Sequence, residues 1–510
     1  MEYNPSPYVT WIKHLSDYRS DSDVLVEKDG GLEILVHPSH KPLFVPHTGS
    51  LYEVIDKEDK TVQLYFYSLA WIIPILTQSD EEKISAALGL VENIVDIAPE
   101  EERSGAWNML WDDHAVCERL CVIIELLSNT QLFVSINKDK LERHLGKTYI
   151  FIEELVASDR WLNNNHRLFH FLASFVYHHY KNDSEKVEEF VGHISGFCHD
   201  LIDAETGFAR EQCISYCFFD INVVEKVVNT VSGLSTYIGF DVDEIYEKLL
   251  HHVNAIAFPD DSLPACGDTP YGLKLSSFQK KYAIVDSLLH EHWIRLEKLG
   301  YYRGESEGKN VHFLMLSHNG ESGHGHYSPL HVDVWLSNFG PILVDCGGPY
   351  KYGDKERYNW FRASRGHNAI SFGNKDSHEI ENINISTGSK RNCVLGFVKY
   401  TDGGHGRKFE AHDEGFIIND FVFLEDEWCV YYNFAPGLSL SLSSENNNEL
   451  ILESDKGGLV IIRCSSDDIC FNVEMTKRCI GHSKFDYGPT LVLSSSSRVS
   501  FYSLRFDVIS

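Results

Sequence analysis

Three histidines and one aspartate between residues 324 and 367 have the residue types and the spacing of a metal or acid–base site. His324 and His326 alternate, Asp345 follows an apolar run, and His367 comes further along the chain. Because side chains alternate across a strand, we predict that His324 and His326 lie on one face of a strand. Two imidazoles and a carboxylate on a rigid sheet can hold a divalent metal and leave one histidine for proton transfer. The alternative is a set of hydrogen-bonded histidines inside a sheet.

These residues belong to a longer pattern. Residues 323–326 read Gly-His-Gly-His, residues 340–347 read Gly-Pro-Ile-Leu-Val-Asp-Cys-Gly, and residues 362–368 read Arg-Ala-Ser-Arg-Gly-His-Asn. In this combination the segment resembles the heparinase II/III-like family of polysaccharide lyases, although none of its pieces is specific alone. The family usually has an aspartate two residues after the second histidine, where this chain has Tyr-Ser-Pro at 327–329.

The resemblance implies roles for the four residues. His324 is implied as a catalytic residue, and His326, Asp345 and His367 as ligands of a zinc ion with a mainly structural role. Three protein ligands with water as the fourth suit zinc. Asp345 has an alternative role, which is to accept a hydrogen bond that fixes the tautomer of a histidine.

A second motif opens a predicted helix. Residues 111–115 read Trp-Asp-Asp-His-Ala, and the helix continues through Arg119. One of the two aspartates can simply cap the helix, since carboxylates are favoured at helix N-termini. The resemblance instead implies substrate binding, in which Trp111 stacks on a sugar ring, His114 hydrogen-bonds a hydroxyl and Arg119 belongs to the same site.

A run of asparagines, Asn163-Asn164-Asn165, stands with His166 before an amphipathic helix. Such a run can be a capping cluster. The resemblance implies that Asn165 hydrogen-bonds a uronate carboxylate and that His166 helps to neutralise or deprotonate the sugar. Removal of a proton α to a carboxylate creates a doubly negative intermediate, so fixed donors must meet the developing charge.

The candidate catalytic phenol is Tyr216. Residues 207–216 resemble the family's Gly…Glu-Gln-Ser-x-x-Tyr run, with Cys213 where serine is usual. The resemblance implies that Tyr216 protonates the leaving glycosidic oxygen, and for some epimers also acts as the base. Its ordinary pKa of about 10 suits an acid at neutral pH, whereas a base would need nearby positive charge such as His166 or Arg210.

The charge of the chain limits its partners. The net charge of −30 argues against a nucleic-acid ligand, which needs a basic footprint. Residues 351–367 are a local exception and form a basic patch beside the candidate site: Lys351, Lys355, Arg357, Arg362 and Arg365. Arg362 can pair with a carboxylate bidentately. Tyr350 and Tyr352 match a Gly-x-Tyr-x-Tyr element of the family and are implied to reach the substrate, an acidic polysaccharide or oligosaccharide.

The chain's 510 residues indicate at least two domains, and 43% hydrophobic with 24% charged residues indicates a globular protein. Residues 1–60 are mixed, with a hairpin or loop at 28–31. Residues 61–300 have helical periodicity, with about six to eight helices, and residues 301–510 alternate like antiparallel strands. We predict an α+β multidomain fold. The same order in the heparinase-like lyases implies an incomplete (α/α) toroid followed by a β-sandwich.

The N-terminus lacks a basic start and an apolar core, so no secretory signal is evident. The longest apolar run, 64–76, contains a proline and is shorter than the roughly 20 residues of a membrane span. The twelve cysteines show no CxxC pair, which favours reduced thiols. We therefore expect a cytoplasmic protein without a membrane span, and the sequence does not indicate its oligomeric state.

These observations predict a polysaccharide lyase that cleaves a uronic-acid-containing glycan by β-elimination. A C5-uronate epimerase is the first alternative, because it shares the abstraction of the C5 proton but cuts no bond. A non-catalytic glycan-binding or assembly protein is the second. A metal-dependent hydrolase is less well supported, because no carboxylate stands beside the histidine pair in sequence.

Overall fold

The structure of the 510-residue chain is a computed structural model. The description that follows concerns residues 3–18, 23–48, 51–78, 80–97, 107–130, 136–158, 165–234, 236–278, 296, 299–320, 323–349, 354–372, 379–387, 391–443, 448–455, 457–466, 469–481 and 484–509.

The chain divides into two compact units. The helical unit consists of Met1–Leu201 and Asn222–Val242, and the sheet unit consists of Ile202–Ile221 and Asp243–Ser510. The sheet unit thus includes helical residues from before position 300 together with the strands of the C-terminal half. The boundaries 1–60, 61–300 and 301–510 stay a prediction, whereas the coarser expectation of helices first and sheets second is confirmed.

The helical unit begins with a small antiparallel sheet, in which residues 28–31 form the predicted hairpin. Gly30 occupies the turn with φ +85°, a conformation that favours glycine. The strands and helices of this part are β1 (Leu25–Lys28), β2 (Gly31–Ile34), β3 (Leu43–Pro46), α1 (Pro7–Thr10), α2 (Leu51–Ile55), α3 (Lys60–Ser68), α4 (Ile72–Thr77), α5 (Glu81–Ile97), α6 (Trp107–Leu110), α7 (Asp113–Ser128), α8 (Lys138–Ala157), α9 (His166–Lys181) and α10 (Ser184–Leu201).

Helices α7 and α9 carry candidate site residues, and their ends follow from the sequence. The side chain of Asp112 accepts a hydrogen bond from the backbone N–H of His114, so Asp112 is the N-cap of α7. Leu168, Phe171 and Leu172 of α9 are buried as predicted, but every residue from 168 to 176 is buried, so this part of the helix is enclosed on all sides and not on one face alone. Helix α9 ends at Asn182, which adopts the left-handed conformation.

Two further helices lead to the sheet unit: α11 (Ile214–Gly233) and α12 (Val242–Ile256). The loop before α11 passes close to α12, and Gly207 in that loop has φ +76°. A Cβ there would lie 2.6 Å from the carbonyl oxygen of Ile245 and from the amide nitrogen of Leu249. Glycine therefore permits the close approach that places the start of α11.

The described residues of the sheet unit form three antiparallel sheets. One has eight strands in the order β14-β15-β16-β19-β12-β11-β10-β9, and two have four strands in the orders β17-β18-β13-β8 and β4-β5-β6-β7. Its strands are β4 (Tyr301–Glu305), β5 (Val311–Asn319), β6 (Tyr327–Leu336), β7 (Gly340–Leu343), β8 (Ile370–Phe372), β9 (Ile380–Thr387), β10 (Cys393–Tyr400), β11 (Gly403–His412), β12 (Gly415–Leu424), β13 (Trp428–Asn433), β14 (Leu438–Leu442), β15 (Glu449–Ser454), β16 (Leu459–Cys464), β17 (Cys470–Gly481), β18 (Lys484–Ser495) and β19 (Val499–Ile509).

Alternation along these strands builds one apolar core. In β12, for example, Phe416, Ile418 and Val422 are buried, whereas Phe421 and Phe423 are exposed. Strands of all three sheets contribute to the same buried cluster. Each large apolar side chain that is fully buried stabilises the fold by about 1.5–3 kcal/mol. This core forms the rigid support for the segments that precede β6 and follow β7.

A carboxylate sits inside that core. Asp420 accepts hydrogen bonds from Nε2 of His405 at 3.0 Å, from Nε of Arg407 at 2.8 Å, and from the hydroxyls of Tyr432 at 2.5 Å and Tyr502 at 2.7 Å. Burial alone would raise the pKa of Asp420, but the charge of Arg407 and these donors hold it well below its usual value. The aspartate is therefore ionised and fully satisfied.

We predict that Asp420→Asn lowers the free energy of unfolding at pH 7 by about 3–5 kcal/mol, because the buried Arg407 loses its counter-charge. A depressed folded-state pKa contributes stability that is complete above the unfolded-state pKa of about 3.9 and is lost as the pH falls through the folded value. The variant should therefore lose less stability than the parent between about pH 5 and pH 3. Urea unfolding followed by tryptophan fluorescence across this pH range measures both effects.

Asp507 is the matched control, because it accepts from two arginines, Arg463 and Arg505, on the exposed side of the sheet. Asp507→Asn should cost less than about 1 kcal/mol, since exposed ion pairs contribute little. Equal losses in the two variants would contradict the role assigned to Asp420.

Candidate active site

One buried carboxylate organises the predicted site in the sheet unit. Asp268 is fully buried. Its Oδ2 atom accepts a hydrogen bond from Nδ1 of His324 at 2.9 Å and from Nη2 of Arg357 at 2.6 Å, and its Oδ1 atom accepts one from Nε2 of His326 at 2.9 Å. The two histidines of the Gly-His-Gly-His motif therefore meet at a single aspartate.

The prediction that His324 and His326 lie within a strand is wrong. Both residues lie in a bend that precedes β6, which begins at Tyr327. The two rings converge because Asp268 binds both, not because a pleated strand aligns them. The backbone supports this arrangement, since the N–H of Asp268 donates to the carbonyl oxygen of His324 at 2.9 Å. Gly267 has φ +58°, and a Cβ there would lie 2.6 Å from the same oxygen.

Positive charge keeps Asp268 ionised. Burial alone would raise the pKa of this carboxyl, but the hydrogen bonds from His324 and His326 and the charge of Arg357 hold the pKa well below its usual range. Arg357 was predicted as part of a basic patch beside the candidate site, and it is buried and ion-paired with Asp268. Its charge is therefore used inside the protein and does not face solvent.

Tyr216 stacks on His324. The two ring centroids are 3.4 Å apart, with an angle of 15° between the ring planes. Tyr216 lies in the first turn of α11, and its neighbour Ser215 fixes that turn: its N–H donates to Oγ1 of Thr269 at 3.2 Å, and its hydroxyl donates to the carbonyl oxygen of Asp268 at 3.0 Å. The loop 267–269 thus positions both aromatic rings.

Cys213, which precedes α11, also contacts this loop. The buried Sγ atom of Cys213 lies 3.3 Å from Oγ of Ser215 and 3.4 Å from Oγ1 of Thr269. Burial and the neighbouring charge of Asp268 raise the pKa of the thiol to about 12. Cys213 is therefore a neutral packing residue. The hydrogen bonds that position Tyr216 come from Ser215.

A second cluster lies behind His326. His326 and His367 are fully buried, and their Nδ1 and Nε2 atoms respectively have no hydrogen-bond partner in the described part of the chain. The other nitrogen of each ring donates to a carboxylate: Nε2 of His326 to Asp268, and Nδ1 of His367 to Asp345 at 2.8 Å. A ligand atom from each of His326, Asp345, Cys346 and His367 lies within 4.8 Å of the others.

This geometry fits a metal ion. An imidazole that donates one N–H to a carboxylate presents the lone pair of its other nitrogen, which is how metal-bound histidines are usually oriented. A buried ring nitrogen without a partner costs about 1–3 kcal/mol, and binding to one metal ion would remove this cost for both nitrogens. The three predicted ligands His326, Asp345 and His367 are therefore brought together, and the residue Cys346 joins them.

Asp345 is arranged as a hydrogen-bond acceptor. Its Oδ2 atom accepts from His367, and its Oδ1 atom accepts from the backbone N–H of Gly347 at 2.9 Å. Burial would raise its pKa, but the charges of His367 and His331 lower it. His331 is itself satisfied, because Nε2 donates to Asp333 at 2.8 Å and Nδ1 accepts from the N–H of Asn368 at 2.9 Å.

In the helical unit, Asp113 binds two histidines. Its Oδ2 atom accepts from Nδ1 of His166 at 2.7 Å and from Nε2 of His170 at 3.1 Å. Asn165 is buried immediately before α9, and its side chain makes no capping hydrogen bond. Asn163 and Asn164 lie outside the described residues. The structure therefore pairs His166 with Asp113, a contact that the sequence did not indicate.

The other predicted residues of the helical unit surround the start of α7. Nε2 of His114 lies 3.0 Å from a carboxylate oxygen of Glu118. Arg119 is fully buried, its Nη1 donates to the carbonyl oxygen of Tyr67 at 3.0 Å, and its guanidinium carbon lies 5.7 Å from the ring centroid of Trp111. Arg119 therefore supports the packing around Trp111 and is not presented to solvent.

Three predicted substrate contacts remain. Arg362 is half-buried, and its Nη2 donates to the carbonyl oxygen of Gly320 at 3.3 Å. Burial and the neighbouring Arg357 lower its pKa. Tyr350 and Tyr352 lie outside the described residues.

Sequence reasoning missed Asp268. Its contact with His324 joins positions 56 residues apart, and Gly267-Asp268 has the composition of an ordinary turn. A contact between residues so far apart leaves no periodic pattern in the sequence. The only local signal was a Gly-Asp pair in the turn-rich segment before the strands begin, and no role was assigned to it.

The chain is similar to known proteins both in part of its sequence and in its fold. Residues 291–491 match the family model described as Heparinase II/III-like, C-terminal, which confirms the resemblance inferred from the motifs. No curated protein matches the chain at a significant level. Within the described residues, we find no helix whose length and apolar character would let it cross a membrane.

Solved structures share the fold. Heparan sulfate lyase HepC from Pedobacter heparinus, solved as a mutant, superposes with a TM-score of 0.63 and 14% identity, over 99% of this chain and 86% of that chain. A structure named Heparinase III gives a TM-score of 0.66, also at 14% identity, over 99% of this chain and 85% of that chain. At this identity the likeness establishes the fold.

We predict that Asp268→Asn lowers the free energy of unfolding by about 3–5 kcal/mol, because Arg357 is left buried without a counter-charge. Replacing the arginine as well, in the double variant Asp268→Asn/Arg357→Met, should recover part of the loss, since no uncompensated charge remains. A double-mutant cycle from urea unfolding measures the coupling. Losses that simply add would show that the two side chains do not act as a pair.

Proposed function

We propose that the chain is a polysaccharide lyase that cleaves a uronic-acid-containing glycan by β-elimination. The observation that carries the proposal is the stack of Tyr216 on His324, with Nδ1 of His324 held by a buried, ionised Asp268. A hydroxyl acid and an imidazole base side by side are the two groups that an elimination needs. The match to the heparinase II/III-like C-terminal model and the names of the similar structures support the same reaction class.

The reaction begins with proton abstraction. Because Asp268 accepts the Nδ1–H of His324, a neutral His324 carries its lone pair on Nε2. This nitrogen takes the proton from C5 of the uronate, the electron pair forms the C4–C5 double bond, and the C4–oxygen bond breaks. The hydroxyl of Tyr216 protonates the leaving oxygen. Exchange with water returns both side chains to their starting forms.

Asn165 and His166 have the donors that the uronate carboxylate needs. As negative charge develops on that carboxylate, fixed donors lower the barrier. Asp113 supports this role for His166, because the hydrogen bond at 2.7 Å fixes the orientation of the ring. We assign sugar contacts to Trp111, His114, Tyr350, Tyr352 and Arg362, and the buried Arg119 to the support of Trp111.

We also propose that the helical unit is an incomplete (α/α) toroid and that the sheets of the other unit form a β-sandwich, as in the lyases that the sequence resembles. Zinc is proposed as a mainly structural ion with His326, Asp345 and His367 as its ligands, the histidines binding through Nδ1 of His326 and Nε2 of His367. When bound, the ion would stabilise the segment before β6 and hence the orientation of His324.

Tyr216→Phe removes the proton donor and leaves the ring, so the protein should fold while kcat falls by about 10²–10⁴-fold. The assay follows the ultraviolet absorbance of the new C=C–COO⁻ group over a panel of uronate glycans. Tyr487→Phe is the control, because that side chain is exposed on β18 and should keep the parent rate.

The same samples run in deuterated water separate the alternatives. If the parent incorporates deuterium at C5 and forms no unsaturated product, the protein is an epimerase. If Tyr216→Phe still forms unsaturated product at the parent rate, Tyr216 is not the acid.

The metal is tested separately. Elemental analysis should find about one zinc per chain, and chelation should lower the melting temperature because the ion binds only the folded state. His326→Ala should lower the melting temperature and abolish the response to chelator. His412→Ala, an exposed histidine on β11, should retain both zinc and the response. Metal-free protein with an unchanged response to chelator would eliminate the zinc site.

A further inference from the structure

Cys346 lies within the cluster of candidate metal ligands. It follows Asp345 directly, is fully buried, and its Sγ atom lies within 4.8 Å of a ligand atom from each of His326, Asp345 and His367. In the motif at 340–347, the resemblance assigns no role to the residue between Asp345 and Gly347. We propose that Cys346 is a thiolate ligand of the metal centre, so that two imidazoles and one sulfur hold the ion.

The hydrogen bonds of Asp345 leave a place for another ligand. One carboxylate oxygen accepts from Nδ1 of His367 and the other from the N–H of Gly347. In this arrangement the carboxylate orients His367, and the direct donors are the lone pairs of His326 and His367. Structural zinc sites are almost always four-coordinate and often contain cysteine. The sulfur of Cys346 is the third protein donor, and Asp345 or water completes the set.

The surroundings of the sulfur are shaped to receive it. A Cβ on Gly366 would lie 2.7 Å from Sγ of Cys346, so the glycine makes room for the sulfur at that place. The backbone of Cys346 is held on both sides, since its N–H donates to Gly366 at 3.2 Å and its carbonyl oxygen accepts from Cys479 at 2.7 Å. A fixed backbone restricts the side chain to few positions, which suits a metal ligand.

The hydrogen bonds that the Cys346 thiol would lose on binding a metal are weak. In the structure its S–H faces the carbonyl oxygens of Gly347 at 3.6 Å and Phe361 at 3.4 Å. A thiol is a weak donor, so these contacts are weak. On binding, the S–H proton leaves to solvent, the sulfur–metal bond forms, and the two imidazole lone pairs gain the partner that they lack.

A thiolate also determines which ion is bound. Soft sulfur ligands favour zinc over calcium, magnesium and manganese, which prefer oxygen. We therefore expect the site to take zinc or cobalt and to discriminate against oxygen-seeking ions. This inference rests on the metal part of the proposed function, and it is independent of whether the protein cleaves a glycan.

Cobalt substitution tests the proposal on the full-length protein without any variant. Cobalt(II) bound by the parent should show a near-ultraviolet sulfur-to-cobalt charge-transfer band, which only a thiolate ligand produces. Cys346→Ser should bind cobalt without the band, and its zinc affinity in competition with a chromophoric chelator should fall by at least about 10-fold. Cys479→Ser is the control, because this buried neighbour packs beside Cys346 but is not among the clustered ligands in the described residues.

Each outcome decides the question. Stoichiometric cobalt without a charge-transfer band in the parent overturns the thiolate ligand and leaves a histidine site. If Cys479→Ser loses the band to the same extent as Cys346→Ser, the band does not identify Cys346 as the ligand, and the role proposed for Cys346 is overturned. If neither zinc nor cobalt binds, the metal site and this inference fail together, while the ultraviolet assay still decides the lyase. A band in a protein that turns over no glycan supports the ligand and refutes the proposed function.

Discussion

The candidate site depends on burying the negative charge of Asp268. A carboxylate in a protein interior is tolerated only when it is paired and hydrogen-bonded. Here its donors come from separate stretches of the chain, with His324 and His326 before β6 and Arg357 in the turn of helix at 357–361. None of the three can move without leaving the charge unsatisfied. The electrostatic requirement of one carboxylate thus fixes the relative positions of the groups to which chemistry is assigned.

Buried aspartates that bind histidines occur elsewhere in the described part of the chain, and only one of them has a different purpose. Asp113 in the helical unit binds two histidines, and Asp420 in the sheet core binds a histidine, an arginine and two tyrosines. The Asp420 network has every carboxylate oxygen satisfied and lies inside the apolar core, so it stabilises the scaffold. Asp268 differs because one of its partners, His324, is 19% exposed and stacks on Tyr216. Exposure of a held imidazole, not the presence of an Asp–His pair, is the feature on which the proposed chemistry at His324 rests.

These contrasts show what the sequence could predict. The alternation of Phe416 and Ile418 in β12 follows from local periodicity, because neighbours in sequence decide it. Periodicity also predicts the burial of Leu168 and Phe171 in α9, but not that the residues between them are buried as well. The cap at Asp112 is equally local. The prediction of a strand at 324–326 was wrong. Two alternating histidines are too short a pattern to define a strand, and the local conformation instead follows from the flanking glycines and from the contacts with Asp268. Asp268 could not be predicted, because its partners lie 56 to 89 residues away. The ion pair of Arg357 could not be predicted for the same reason.

The two oxygens of Asp268 also separate two tasks that the sequence motif combines. Oδ1 accepts from Nε2 of His326, which leaves Nδ1 of that ring facing the cluster with His367, whereas Oδ2 accepts from Nδ1 of His324, whose ring contacts Tyr216. Asp268 therefore binds opposite nitrogens of the two histidines, and the two rings contact different neighbours. In the proposed function the Gly-His-Gly-His segment serves both scaffold and chemistry, because a single carboxylate orients the two rings differently. The bend before β6 is what permits this, since a regular strand would have aligned both rings on one face.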